Sequence, residues 1–413
     1  MMTDSPAAPN PAAWTSEAPP TLNLLFVGAL PPLPGGAAIS MAQLLAGLAH
    51  SGHRVRAIAP VTTEGLSQAD CFAALHPGIT VTRFEVPYYE LAMPVPPPDE
   101  YRALESASIE RVVSAQVNTD RPDVLLIGRE SYVWYVPSLA TRHRLPCVLF
   151  ARGNPTRAIL EDVYPEAAAR HFLEQYGKVD LIVTVASYLA DGLRRLGFSH
   201  VVTIPNAIDV DQFVPRPRDA RLARELGLRR EDVVIVHASN LTPLKRPLDI
   251  VASAERALRS HPDLVYLVVG DGALRGTMEA ACAAAGIASR FRFTGWVDYE
   301  RMPDYINLAD IVIMASEGEG LARVYLETQS CARLLLASDI PAAREAVTDG
   351  ETGILFRRGD VQDLAAKTLH AAEHPELRAA IGWNARQQAA RHSLPRAVAA
   401  YAAVLCDLLP RKH

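Results

Sequence analysis

The strongest constraint on this chain is an alternation that occurs twice. Short apolar runs are each followed by a stretch with helical spacing, and a proline-marked segment near residue 205 separates the two sets. The first set has apolar runs at 22–28, 54–59, 79–84, 123–128, 147–151, 180–185 and 200–204. Helical stretches fall between them at 37–50, 100–118, 133–143, a polar stretch reaching Gly177, and 186–196. The second set has runs at 233–238, 264–269, 291–294, 310–315 and 334–337 and a short last strand ending at Phe356. Its helical stretches are 248–260, 274–285, 361–373 and 376–391, followed by an apolar-striped one at 395–409. Continuous apolar runs alternating with helices specify strands buried on both faces, and so a mostly parallel sheet clothed by helices. Two such sets predict two Rossmann-like, doubly wound domains. The expected divisions are a disordered lead at 1–20, a first domain at 21–205, a second at 206–391 and a closing helix at 392–413.

Composition removes several classes of function. The 413 residues suffice for two or three domains, and 49 % apolar with 21 % charged residues is the balance of an ordinary soluble protein. A net charge of −5 without a long basic run argues against nucleic acid, whose binding needs clustered cations. Cys71, Cys147, Cys282, Cys331 and Cys406 are odd in number and never spaced Cys-x-x-Cys, so they read as reduced, buried thiols of a cytoplasmic protein. The Pro- and Ala-rich start lacks the basic and apolar regions of a signal peptide, and no run is long enough to span a membrane. Peripheral membrane contact stays open.

The chemistry concentrates at 316–329, Ser-Glu-Gly-Glu-Gly-Leu-Ala-Arg-Val-Tyr-Leu-Glu-Thr-Gln, between the apolar run 310–315 and a helical stretch from Arg323. The first amides of that helix lack intrahelical partners and carry its positive dipole end, while Gly318 and Gly320 admit a ligand close to the backbone. Amides suit phosphate. The carboxylates of Glu319 and Glu327 suit sugar and ribose hydroxyls, so the stretch fits a sugar nucleotide.

Glu319-Gly320-x-x-x-x-Tyr325-Leu326-Glu327 resembles the Glu-x7-Glu signature of family 4 of the retaining glycosyltransferases, and the resemblance extends over nearly all of the chain after residue 20. It implies the GT-B fold, with the donor bound by the second domain, the acceptor by the first, and the last helix crossing back to the first. Lys245, in Asn240-Leu-Thr-Pro-Leu-Lys245, matches the family's Arg-Leu-x-x-x-Lys and with Glu319 is the expected catalytic pair. The usual Arg is replaced by Asn240, and Arg246 or Arg323 is the candidate to restore the second cation. The resemblance further implies that Glu327 holds the ribose, that amides of Gly320, Leu321 and Ala322 face the sugar, and that those of Arg323 and Val324 face the phosphate. Gly270 closes the neighbouring strand, and the backbone near Trp296 and Val297 reads the base. On the acceptor side stand Gly35 and Gly36, a turn or an anion cradle by themselves. Arg152 occupies the family's His-Gly position, as an acceptor or phosphate contact or a structural residue.

Asp209-x-Asp211 is the pattern that holds a divalent metal in GT-A enzymes. In Pro205-Asn206-x-x-Asp209 it instead resembles the family 4 interdomain linker, so no metal and no cofactor are expected. The co-substrate would be a UDP- or GDP-linked sugar and the acceptor a sugar, glycolipid or small molecule. Tyr88, Tyr89, Tyr132, Trp134 and Tyr135 either stack an acceptor or pack a core, with packing favoured by the area that aromatics bury. The implied activity is retaining hexosyl transfer. A sugar-nucleotide epimerase and a degenerate transferase that only binds nucleotide or glycan are the alternatives.

Overall fold

The computed structural model describes residues 20–33, 35–61, 77–86 and 99–409; Pro34, Cys71, Tyr88, Tyr89 and the lead up to residue 19 lie outside them. Among the described residues the strands form two sheets, and every pairing is parallel. The first comprises β1 (Asn23–Val27), β2 (Arg54–Val61), β3 (Ile79–Glu85), β4 (Val124–Ile127), β5 (Cys147–Ala151), β6 (Leu181–Thr184) and β7 (Val201–Thr203), in the order β3-β2-β1-β4-β5-β6-β7. The second comprises β8 (Val233–Ala238), β9 (Leu264–Val269), β10 (Phe291–Gly295), β11 (Ile311–Met314), β12 (Leu334–Ser338) and β13 (Ile354–Phe356), in the order β10-β9-β8-β11-β12-β13.

Both sheets start in the middle, run to one edge and return to build the other half. The direction reverses between β1 and β4, where Leu24 lies beside both Val55 and Val124, and between β11 and β8, where Ile311 lies beside Ile235 and Leu334. At such a reversal the loops leaving the carboxyl ends turn to opposite faces, so a crevice opens there. The fold thus has one crevice per sheet, lined by the loops that leave the strands on either side of the reversal.

The strand period of two explains why the apolar runs are continuous. Leu24 and Phe26 enter one core cluster, Leu25 and Val27 another on the opposite face. Val234 and Val236 likewise oppose Ile235. One cluster spans both halves, joining Val185, Ala186 and Leu189 to Leu321, Val324 and Tyr325.

The chain crosses between the halves at two adjacent points. Ile208 N donates to His392 O at 3.0 Å, and Leu394 N donates to Ile208 O at 3.0 Å. The helix Leu394–Asp407 then lies on the helix Gly36–His50, sending Val398, Tyr401 and Leu405 into the core beside Met41 and Leu45. This is the return crossing that the GT-B resemblance implies.

Several elements differ from the sequence reading, each for a local reason. The polar stretch reaching Gly177 is two helices, Asn154–Leu160 and Glu166–Tyr176. Asp162 takes φ 54° and Pro165, with no N–H to give, stands before the second. The stretch 133–143 begins as a 3-10 turn, Glu130–Trp134, and becomes α-helical at Val136–His143 with Pro137 in its first turn. The stretch 376–391 ends at Ala389 and tightens into a 3-10 turn, Ala390–His392. Two short helices, Ala220–Glu225 and Pro341–Ala346, were not anticipated; the first is capped by Asp219 Oδ1, which accepts from Arg221 N and Leu222 N. Tyr132 and Tyr135 are core residues and Trp134 stacks on His171 with centroids 3.9 Å apart, so the described aromatics of this group are engaged in packing. No helix among the described residues is long and apolar enough to cross a membrane.

Candidate active site

The second crevice is lined by the loop after β8, residues 239–246, and the loop after β11, residues 315–322. Leu244 O accepts from Glu317 N at 2.8 Å and stitches the two together. Across that junction Lys245 Nζ pairs with Glu319 Oε1, both largely sequestered from solvent, and Ser316 Oγ donates to the same oxygen at 2.6 Å. Residues 74 positions apart thus meet at the point where the sheet order reverses.

The helix Arg323–Ser330 starts directly after this loop with Ala322 as its N-cap, and no side chain caps it. Its first amides therefore have no side-chain acceptor, and the residues from Gly320 to Val324 are buried, with Gly320 against the first half. Glu327 is buried, and burial raises its carboxyl above the ordinary range, countered by Arg323 and Tyr299. Glu327 Oε1 accepts from Tyr299 OH at 3.0 Å and from Arg323 Nε at 3.3 Å; Oε2 receives no hydrogen bond among the described residues. An acceptor oxygen beside the helix start, with its twin already satisfied, is suited to a hydroxyl donor.

Neither arginine stands free as a second cation. Arg246, left-handed at φ 48°, caps the helix Pro247–Ser260 and is divided between Asp249 at 2.6 Å and Glu317 at 2.8 Å. Arg323 is buried and turned toward the first half: it donates to Glu327, to Ala207 O at 3.1 Å, to Gln43 Oε1 at 3.0 Å and to Tyr299 OH, over whose ring it also lies. The Asn240 side-chain amide has no hydrogen bond among the described residues and remains available to a ligand.

On the far wall, Gly270 N donates to Gly295 O at 2.9 Å, which joins the carboxyl ends of β9 and β10. Trp296 beyond it is about half exposed, while Val297 packs against the core shared by the two halves.

The first half closes the crevice from the other side. Gly35 takes φ 112° as the N-cap of the helix Gly36–His50, a backbone shape that favours glycine, and Gly36 is so near Arg323 that a Cβ there would meet its Cδ at 3.4 Å. Gly153 abuts Gly320, with a Cβ on Gly153 falling 2.7 Å from Gly320 Cα. The Arg152 guanidinium donates to Ser40 Oγ at 2.8 Å and to Asn206 Oδ1, in a junction lined by Leu394, Ala397 and Tyr401, where burial lowers it to about 10. Asp209 is a turn residue: its Oδ1 accepts from Asp211 N at 3.0 Å and Gln212 N at 3.1 Å. No group of three or more His, Cys, Asp and Glu among the described residues could hold a metal ion.

Sequence reasoning missed several supports of this loop. Tyr188 OH donates to Glu319 O and Asn206 Nδ2 to Leu321 O, both from the first half and the linker. Buried His237, at the end of β8, bonds Ile313 O through Nδ1 at 2.9 Å, so Nε2 accepts from Ser239 Oγ at 2.7 Å. Asn206 was legible only as part of the linker motif; Tyr188, Tyr299 and His237 carry no local signal.

Two family models divide the chain: one described as glycosyltransferase family 4 matches residues 34–212, and one described as glycosyl transferases group 1 matches 219–388. A D-inositol 3-phosphate glycosyltransferase of Geodermatophilus obscurus is 30 % identical over 283 residues, 64 % of this chain and 60 % of that protein. A 2-deoxystreptamine N-acetyl-D-glucosaminyltransferase of Streptomyces fradiae is 29 % identical over 265 residues, 60 % of this chain and 62 % of its own length. The chain thus spans less than two thirds of these relatives. A crystal structure of Anabaena HepE in complex with UDP and glucose superposes with a TM-score of 0.77 at 18 % identity, covering 93 % of this chain and all of that one, a likeness of fold. With one model on each side of the linker and the GT-B architecture joining them, the chain belongs to glycosyltransferase family 4, its second half of the group 1 type.

Proposed function

We propose that this chain is a retaining, metal-independent transferase that moves a hexosyl group from a UDP- or GDP-linked sugar to a hydroxyl of a glycan, glycolipid or small-molecule acceptor. What carries the reading is the meeting of Lys245 and Glu319 at the reversal point of the donor sheet, one turn of helix from the open oxygen of Glu327. The names of the relatives, transferases to inositol phosphate and to an aminocyclitol, agree with it.

In this reading the diphosphate settles on the amides of Arg323 and Val324, and Lys245 exchanges its partner: it leaves Glu319 for the phosphate. Glu319 is then free to accept from the hexose hydroxyls, and Glu327 Oε2 accepts from the ribose. As the anomeric C–O bond breaks, its electron pair passes to the phosphate oxygen, where Lys245 and the helix-start amides stabilise the charge. The acceptor oxygen bonds the anomeric carbon on the same face, and its proton goes to the departing phosphate. Gly153 against Gly320 excludes water from that centre. The protein would work in the cytoplasm.

One observation favours a second reading, nucleotide binding without turnover: Asn240 brings no charge, and Arg246 and Arg323 are both engaged. Incubation with UDP-, GDP- and ADP-sugars, with nucleotide release followed, decides between them. Release that Lys245→Ala and Glu319→Ala leave unchanged defeats the site assignment, and calorimetric binding without release on any donor selects the second reading.

A further inference from the structure

Glu130 lies outside the donor crevice, yet it is buried and opens the 3-10 turn just past β4, beside the crevice of the first sheet. All its donors come from one neighbourhood. Oε1 accepts from Gly153 N at 2.6 Å, and Oε2 accepts from Thr156 N at 3.0 Å, Thr156 Oγ1 at 2.7 Å and Tyr176 OH at 3.4 Å. Gly153 N and Thr156 N belong to the start of the helix Asn154–Leu160, whose N-cap Gly153 supplies no side chain. Glu130 therefore caps that helix from the turn that follows β4.

The arrangement requires a carboxylate. Hydroxyls rotate and can reverse a hydrogen bond; backbone N–H groups cannot. The two amides sit on different oxygens, so a glutamine here must aim its NH2 at one of them, and an aspartate is one methylene short.

What Glu130 fixes is the corner that touches the donor loop. Gly153 takes φ 135°, and its Cα region lies against Gly320, the residue after Glu319. A Cβ on Gly320 would stand 2.9 Å from Arg152 C and 3.0 Å from Gly153 Cα, so the two loops meet without slack. We propose that Glu130 is a positioning residue for glycosyl transfer: by seating Gly153 and Thr156 it sets the wall that the first half presents to the 318–322 loop. The inference rests on the transferase reading above.

The test compares Glu130→Gln with Tyr176→Phe in the full chain. Tyr176→Phe removes the phenol's 3.4 Å bond to Glu130 Oε2 and its 2.9 Å bond to Thr156 Oγ1 but keeps both amide bonds to the carboxylate, so it serves as the variant that loosens the cluster without unseating the two amides. Four readouts apply: nucleotide affinity, transfer rate, donor hydrolysis rate, and hydrogen exchange of 152–160 and 318–322. For Glu130→Gln the nucleotide Kd stays within about twofold, while transfer falls by about 10- to 100-fold, the scale of an ångström of misplacement. Hydrolysis falls less, so the transfer-to-hydrolysis ratio drops at least about fivefold. Exchange quickens in both segments. Tyr176→Phe leaves the ratio unchanged. The proposal is overturned if Glu130→Gln lowers transfer and hydrolysis in equal proportion, or if exchange in 318–322 does not change. A wild-type protein that releases no nucleotide refutes the transferase reading, and the 318–322 exchange then decides by itself whether Glu130 positions that loop.

Discussion

Gly320→Ala isolates the contact between the two halves at the proposed reacting centre. The backbone of Gly320 lies outside the left-handed region, so alanine is compatible with the loop itself. The obstacle is the other half: a Cβ would stand 2.1 Å from Arg152 O, where ordinary contact begins at 3.4 Å. Arg152 O and C are backbone atoms at the end of β5 and cannot swing aside, so the two loops must part by about 1.3 Å. A displacement of that size costs about 10²-fold in rate, or about 2.7 kcal/mol of transition-state stabilisation. In the proposed reading the second half binds the nucleotide by itself, so calorimetric Kd should move by no more than about threefold, and the cost appears in kcat/KM for transfer. Steady-state transfer assays beside calorimetry read both quantities. Unchanged kcat/KM would refute the reasoning, because the approach of Gly153 and Gly320 would then be irrelevant to the reactive state. Equal losses in binding and rate would refute it too, by placing the strain within the donor loop.

Lys245→Ala should lower kcat/KM for nucleotide release by about 10²–10³-fold, the usual cost of losing one donor to a developing anion, and steady-state assays on the best donor check it. Gly47→Ala should destabilise despite alanine's helix propensity, because the new Cβ would collide with Val398 on the closing helix; the expected cost is about 1–3 kcal/mol in urea unfolding, and Val398→Ala in the same chain should recover most of it. Burial holds His237 at about 4 against its ordinary 6.5. Between those values the unfolded chain takes a proton that the folded chain refuses, so stability is full above about 6.5 and falls by up to about 3 kcal/mol as pH drops toward about 4. Urea midpoints at several pH values should show that slope, and His237→Asn should flatten it.

The alternation of apolar and helical runs was enough to anticipate two parallel sheets, because a strand buried on both faces leaves no polar positions to confuse the pattern. The candidate stretch 316–329 stands out in the sequence for a similar local reason: glycine, helix start and both carboxylates fall within one loop and two helical turns. Segment ends were less legible where a turn depends on one residue, as at Asp162 and Pro165. The arginines show where local reading ran out. Arg246 and Arg323 both look like spare cations in sequence, yet Glu317 and Asp249 claim the first, and Glu327, Tyr299 and Gln43 the second.

Sequence by itself determined which runs form strands and which helices, that they fall into two parallel-sheet sets, and that a helix start flanked by carboxylates follows the run 310–315; the strand order and its reversals came from the structure. Tertiary structure alone decided which of those groups face one another: that Lys245 meets Glu319, that Arg152 turns to the linker, and that Glu130 anchors the corner pressed on Gly320. The division has a physical cause. Periodicity and helix ends are governed by neighbours in the chain, whereas a buried charge takes its partner from whatever the folded backbone brings within hydrogen-bond reach, and those partners lie tens to hundreds of residues away.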